Sequence, residues 1–145
     1  MNSQKPAVFV QFVEMDINKH EKENFINFWN RQGAVVKIRP KVSWAGLVEA
    51  SNLVLGNKDR WPCYWAMRTM SITDKGKVVT CAVDLDARFV AGDVKSQSLK
   101  EIWNGKLKEL RHLHNSKRFD ELPENCGLCR DWQSARADYY ETGNG

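Results

Sequence analysis

The sequence lacks the long apolar runs and the short catalytic motifs that define several large classes of protein. No stretch approaches the roughly 20 apolar residues of a membrane-spanning helix. The first residues, Met1 to Pro6, contain no apolar core of a secretory signal, so we expect a cytoplasmic location. There is also no glycine-rich phosphate loop, no Gly-x-Ser-x-Gly elbow and no His-Glu-x-x-His motif. These absences exclude the commonest phosphate-loop, serine-hydrolase and zinc-protease sites.

Cysteine is scarce and the charge is mixed. The 145 residues include four cysteines, and the net charge of +4 comes from basic residues that are interspersed with acidic ones. Because a reducing cytoplasm disfavours disulfides, a metal site is the better interpretation of the four thiols.

Nucleic-acid binding requires clustered basic residues, and we do not expect it here. Hydrophobic residues make up 42% of the chain, which is typical of a globular protein.

The chain divides by composition into four segments. We predict a strand–helix–strand segment, a linker, a segment that contains every cysteine, and a flexible tail. Their bounds are residues 1–44, 45–60, 61–132 and 133–145.

The first segment has the pattern of a β-α-β unit. Residues 8–14 and 35–39 are rich in β-formers, as in strands covered on both faces, and a helix is predicted over residues 19–32. Asn18 and Glu21 have the spacing of a helix capping box, and Gly33 can end the helix. A β-α-β unit requires parallel strands, and two strands do not form a stable sheet alone. We therefore expect further strands, from a missing part or a partner chain, to complete this sheet.

The four cysteines form two pairs within the third segment, Cys63 with Cys81 and Cys126 with Cys129. The second pair is a Cys-x-x-Cys knuckle, whose spacing lets both sulfurs bind one metal centre. The first pair flanks a predicted hairpin, which turns at Gly76 and returns the chain to its starting point. A helix capped by Ser98 and Glu101 then carries the chain back to the knuckle. We therefore predict one four-cysteine site, suited to a cubane cluster or to a zinc ion.

The elements around this site are predicted from hydrophobic periodicity. Strands are expected over residues 67–72 and 77–81, with an irregular stretch before a helix over residues 99–113. His112 and His114 are two residues apart near the end of this helix and so do not face one another. We predict that both are surface residues rather than ligands.

Residues 63–129 resemble the SPASM and twitch domains of radical-SAM enzymes. The resemblance rests on a Cys, a Gly-x4-Cys hairpin from Gly76 to Cys81, a Gly-Asp-Val…Ser-Leu-Lys-Glu-Ile-Trp-Asn segment from Gly92 to Asn104, and a closing Cys-x-x-Cys, in this order. The single Cys-x-x-Cys and the absence of later cysteines match the one-cluster twitch form. The resemblance implies one auxiliary [4Fe–4S] cluster with the ligands Cys63, Cys81, Cys126 and Cys129.

The resemblance also implies an α/β fold class for the whole chain. Residues 8–14 and 35–39 would be the last strands of a radical-SAM partial barrel, followed by a small α+β domain with a β-hairpin and a helix. The SAM-cleaving Cys-x3-Cys-x2-Cys motif does not occur in the sequence, so S-adenosylmethionine would be bound only in a full-length oxidoreductase. The cluster would support substrate binding or electron transfer, with a peptide or a small molecule as substrate. The alternative is a structural four-cysteine zinc module that binds a peptide or protein.

Polar residues end both strands of the first segment. Glu14 ends the first, and Lys37, Arg39 and Lys41 end the second. Because α/β barrels place their sites at the carboxyl ends of parallel strands, Glu14 and Arg39 are candidates to face a substrate. The alternative for these residues is a solvated strand end or an ion pair.

Overall fold

The structure, a computed structural model, describes residues 7–134 and 138–140, which divide into two units. One unit comprises residues 7–41 with 138–140, and the other comprises residues 42–134. The stretch from residue 45 to residue 60, for which the sequence predicts a linker, is therefore part of the second unit. None of the described helices combines the length and the apolar character that a membrane span requires.

The first unit contains the predicted β-α-β arrangement. It consists of β1 (Phe9–Glu14), α1 (Lys22–Arg31) and β2 (Val35–Pro40), and the two strands pair in parallel. A further strand, β6 (Asp138–Tyr140), pairs antiparallel with β2 and gives the strand order β1-β2-β6. The sequence predicts a flexible tail over residues 133–145, whereas three of these residues extend the sheet. Two of the three are tyrosines, which favour strands.

Helix α1 covers one face of this sheet. The buried core between helix and strands consists of Phe12, Ile26, Val36 and Ile38. Because side chains alternate along a strand, Phe9 and Val13 point away from this core and remain 62% and 36% exposed. The sequence predicts that both faces of the strands are buried. Within the described unit, the face toward α1 is buried, whereas the opposite face leaves apolar side chains exposed to solvent.

The turn into α1 differs from the predicted capping box. A 3₁₀ turn (Lys19–Glu21) precedes the helix, and the Asn18 side chain does not cap it. Instead, Asn18 accepts a hydrogen bond from the Met15 N–H at 2.8 Å and donates one to the Val13 carbonyl at 3.0 Å. The side-chain amide of Asn18, which the sequence pattern assigned to the helix N-cap, therefore stabilises the short connection after β1. At the other end, Gly33 has a φ of 77° and ends the helix as predicted.

The cysteine region of the second unit begins with a helix that extends into the first residues of the predicted strand. Residues Tyr64–Arg68 form α2, and the strand β3 is confined to Ser71–Ile72. The Met67 N–H bonds to the Cys63 carbonyl, and the Thr69 N–H bonds to the Trp65 carbonyl, as in an α-helix. The expectation of a strand over residues 67–72 was wrong for most of its length, because an apolar alternation this short fits both structures.

The hairpin lies where it was predicted. Strand β4 (Lys77–Val79) pairs antiparallel with β3, and Gly76 lies in the turn with a φ of 83°. The Gly76 N–H donates to the Thr73 carbonyl at 2.9 Å, which closes the reversal. A third strand, β5 (Val90–Asp93), falls in the stretch expected to be irregular and pairs antiparallel with β4. Strand β4 is therefore the central strand of a three-stranded sheet with the order β3-β4-β5.

The predicted long helix is two helices. Helix α3 (Leu99–Asn104) begins at the predicted capping box, in which Ser98 and Glu101 exchange hydrogen bonds. Gly105, with φ −89° and ψ −127°, interrupts the helix before α4 (Lys106–Asn115). The core between these helices and the sheet consists of Val78, Ala91, Ile102 and Leu107. A short final helix, α5 (Glu124–Leu128), carries the Cys-x-x-Cys knuckle.

Candidate metal centre

The four cysteines are delivered by separate elements of the second unit. Cys63 precedes α2, Cys81 follows β4, Cys126 lies within α5, and Cys129 follows α5 directly. All four are free thiols; the first three are buried and Cys129 is partly buried. Each is therefore available to a metal centre rather than to a disulfide.

Two adjoining apolar clusters bring the cysteines into one region. Cys63 and Cys126 share a cluster with Leu110, Leu122 and Trp132 among others. Cys81 belongs to a cluster with Ala45 and Val83, against which Cys129 packs. Trp65 packs against both clusters and so links them. The site is thus enclosed by hydrophobic side chains, which exclude water from it.

The thiols influence one another electrostatically. Burial raises the pKa of Cys126 to about 12, and the charges of Cys81 and Cys63 add to this effect. Burial also raises the pKa of Cys129, with further contributions from Asp131 and from the charges of Cys63 and Cys126. Without a bound cation the thiols stay protonated at neutral pH. Metal binding must therefore release protons, and the metal's positive charge must offset the burial of thiolates.

Burial is also the main influence on the other two thiols. The pKa values of Cys63 and Cys81 are raised mainly by burial, and the charge of Cys63 contributes at Cys81. Within the described residues, no three His, Cys, Asp or Glu side chains are close enough together to hold a single metal ion. Electrostatic influence reaches further than direct coordination. The thiols therefore share one region without converging on the position of one ion.

Hydrogen-bond donors face the sulfurs. The buried Thr80 hydroxyl donates to the Cys81 sulfur at 3.8 Å, and it also lowers the pKa of Cys126. The Asp131 N–H donates to the Cys129 sulfur at 3.3 Å. Such donors stabilise thiolates and tune the metal centre that they bind.

A loop with left-handed backbone conformations packs against the cysteine region. The Asp131 carboxylate anchors this loop by accepting hydrogen bonds from the N–H groups of Ser43 and Ala45. The backbone of residues 44–46 has positive φ angles of 52°, 56° and 90°. Ala45 packs beside Cys81. This contact could not be predicted, because residues 45–60 have the composition of a linker.

Comparison with known families identifies the segment that carries these cysteines. Residues 63–130 match the family model of SPASM, an iron-sulfur cluster-binding domain. These residues form a SPASM domain. The resemblance that the cysteine spacing, the hairpin and the capped helix indicate is confirmed. Binding of an iron–sulfur cluster is the function that this family assigns to the segment.

One curated relative extends over most of the chain. It is an uncharacterized protein of Treponema pallidum (strain Nichols), 27% identical over 138 residues. The alignment covers 91% of this chain and 36% of the relative, so the chain spans about a third of the relative's length. No solved structure matches the chain.

A buried arginine stands beside the SPASM domain's cysteines, just outside the matched segment. Arg60 is 7% exposed and donates to the carbonyls of Cys126 at 2.8 Å and Gly127 at 3.2 Å. Its guanidinium lies over the rings of Phe119, at 5.2 Å, and Trp132, at 6.0 Å. Sequence reasoning missed this residue. A single arginine three positions before Cys63 gives no sign that it will be buried.

His114 is buried in the SPASM domain and not on the surface, contrary to the prediction. It is 0% exposed, because it shares the inward face of α4 with Leu107 and Leu110. Its Nδ1 accepts a hydrogen bond from the Cys63 N–H at 3.5 Å, while its Nε2 has no partner among the described residues. Burial, followed by the charge of Arg60, lowers its pKa to about 4. His112 is exposed, as expected.

The substrate-facing candidates lie in the other unit. Glu14 and Arg39 are near the carboxyl ends of β1 and β2, and Arg39 is paired across the strands with Val13. Glu14 forms an ion pair with Lys22 at 3.0 Å, which agrees with the alternative considered for it. A role for Glu14 and Arg39 toward a substrate stays a prediction.

Proposed function

We propose that Cys63, Cys81, Cys126 and Cys129 hold one auxiliary [4Fe–4S] cluster in the C-terminal part of a radical-SAM enzyme. The observation that carries this proposal is the gathering of four free, largely buried thiols in one region of a SPASM domain. Thiolates are the usual ligands of iron–sulfur clusters.

The surroundings of the thiols suit an anionic cluster. Thr80 and the Asp131 N–H supply hydrogen bonds to sulfur, and Arg60 supplies a buried positive charge. When bound, the cluster would provide one-electron redox chemistry. Because all four irons would have a cysteine ligand, no coordination position would be left for a substrate. The proposed role is therefore electron transfer or support of a substrate pocket.

The first unit fits the end of a partial barrel. β1 has a strand partner on one side only within the described residues, and the chain spans about a third of its relative's length. We propose that the rest of a radical-SAM enzyme, or a partner chain in the cytoplasm, supplies the next strand and the SAM-binding site. A DNA sequence with an in-frame Cys-x3-Cys-x2-Cys motif directly upstream would support this. A stop codon in its place would leave only the partner chain.

Metal competition tests the cluster directly. Anaerobic reconstitution with iron and sulfide, in the presence of equimolar zinc, should give broad brown absorbance and about four irons per chain. A Cys126→Ser, Cys129→Ser variant is the control and should lose this absorbance. One tightly held zinc per chain with no sulfide would overturn the proposal in favour of a structural zinc module.

A further inference from the structure

The Arg60 guanidinium is hydrogen-bonded in a buried position, where a charged group is energetically unfavourable. Its two terminal nitrogens donate to the Cys126 and Gly127 carbonyls, and its Nε has no hydrogen-bond partner among the described residues. Carbonyl oxygens are neutral and do not balance a positive charge. A buried charge without a counter-charge is strongly unfavourable.

No carboxylate balances this arginine. Within the described residues, none lies within 4.0 Å of the Arg60 guanidinium, since no ion pair to it forms. Burial lowers the pKa of Arg60, and the negative charges of Cys126, Cys129 and Cys63 act in the opposite direction. The counter-charge of Arg60 is thus the cysteine site itself.

We infer that Arg60 is a positioning residue that provides the counter-charge of the cluster and raises its reduction potential. This inference rests on the proposed function. Reduction adds one electron, and hence one negative charge, to a site already surrounded by four thiolates. A fixed cation in a water-poor environment stabilises the more negative form, because electrostatic attraction is strong where the dielectric constant is low.

A second arginine of the chain provides a matched control. Arg111 donates to the Trp103 carbonyl at 2.8 Å and lies over the Trp103 ring at 3.8 Å. Like Arg60, it has one buried nitrogen without a partner among the described residues. Burial alone lowers its pKa, with no contribution from a cysteine. Replacement of Arg111 therefore removes an arginine that has the same kinds of contact, a carbonyl hydrogen bond and an aromatic ring, at a position where the thiols have no electrostatic effect.

Redox titration of the reconstituted chain tests the inference. The reductant is dithionite, and the reduced cluster is followed by electron paramagnetic resonance. For Arg60→Gln and Arg60→Met, the ratio of reduced to oxidised cluster at a fixed potential should fall about tenfold, which is about 59 mV for a one-electron couple. Arg60→Lys, which keeps the charge, and Arg111→Gln should titrate close to the parent.

Each outcome decides the question. A fully loaded neutral Arg60 variant with the parent's potential would overturn the inference, as would an Arg60→Lys variant shifted as far as Arg60→Gln. If the neutral variants bind no iron while Arg60→Lys does, the counter-charge is required for assembly and the inference is supported. If Arg60→Lys also binds none, the role is structural and the inference fails. A parent chain without iron would instead refute the proposed function.

Discussion

The Asp131 carboxylate and the Ala45 N–H are joined by a 2.7 Å hydrogen bond, although 86 residues separate them in sequence. Through its own N–H, Asp131 also reaches the Cys129 sulfur. Ala45 in turn packs beside Cys81. Asp131 therefore connects the loop around Ala45, which lies outside the SPASM match, to Cys129 directly and to Cys81 through Ala45.

Replacement of Asp131 tests this connection. In Asp131→Asn, one amide oxygen must replace two carboxylate oxygens, so one of the two loop N–H groups loses its partner. We expect a loss of about 1–3 kcal/mol in the free energy of unfolding and weaker retention of iron. Urea unfolding and iron content measure both, with the exposed Asp120→Asn as control. Equal effects of the two substitutions would contradict the structural role of Asp131.

Gly92 is required for the contact between β5 and α3. A Cβ atom at this position would lie 2.7 Å from Cγ1 of Ile102, which is buried. Gly92→Ala should therefore lower the free energy of unfolding by about 1–3 kcal/mol through overpacking. At Gly56, a Cβ atom would meet nothing within 4 Å, and Gly56→Ala should have little effect. Similar unfolding midpoints for the two variants would refute the close approach.

His114 should make the stability of the chain sensitive to acid. Its pKa is about 4 in the folded protein against 6.5 ordinarily, so below pH 6.5 the unfolded chain binds a proton that the folded chain does not. The contribution of neutral His114 to stability is thus present above pH 6.5 and is lost as the pH falls toward 4. Between pH 7 and pH 5 the loss should be about 2 kcal/mol.

Comparison with His114→Leu isolates this titration. The parent and the variant, reconstituted in the same way, are unfolded in urea at pH 7 and at pH 5. The parent should lose more stability than the variant over this interval. Equal losses in the two proteins would mean that His114 does not titrate as its burial requires.

The open face of the first sheet should promote self-association. Phe9 is 62% exposed on this face, and exposed apolar strands recruit partners. We expect the chain to dimerise or aggregate at high micromolar concentration and Phe9→Lys to reduce this. Glu23→Gln, which changes the net charge equally at an exposed site on α1, is the control. A monomeric parent in size-exclusion chromatography with light scattering would contradict the expectation.

Local sequence signals predicted the features that depend on local chemistry. The capping box at Ser98 was predictable because both partners lie within four residues, and the turn at Gly76 because a positive φ favours glycine. The grouping of the four cysteines was inferred from the hairpin and the Cys-x-x-Cys spacing, and their ligation of one metal centre stays a prediction. The parallel pairing of β1 and β2 followed from the helix between them.

The features that could not be predicted depend on contacts between distant residues. Arg60 and His114 are polar residues whose burial is decided by elements far away in sequence, and each is placed next to the cysteines by tertiary packing. The interruption of the helix at Gly105 could not be predicted for a different reason. The buried residues Ile102 and Leu107 continue the apolar pattern across it, so the periodicity does not reveal that the helix is interrupted.

The most direct test of the account is the iron bound by the four single Cys→Ala variants at positions 63, 81, 126 and 129. After anaerobic reconstitution, the parent should hold about four irons per chain. Every variant should hold fewer irons, or a cluster with an altered electron paramagnetic resonance spectrum after reduction. A variant with the parent's iron content and spectrum would show that its cysteine is not a ligand, and the four-cysteine site would be contradicted.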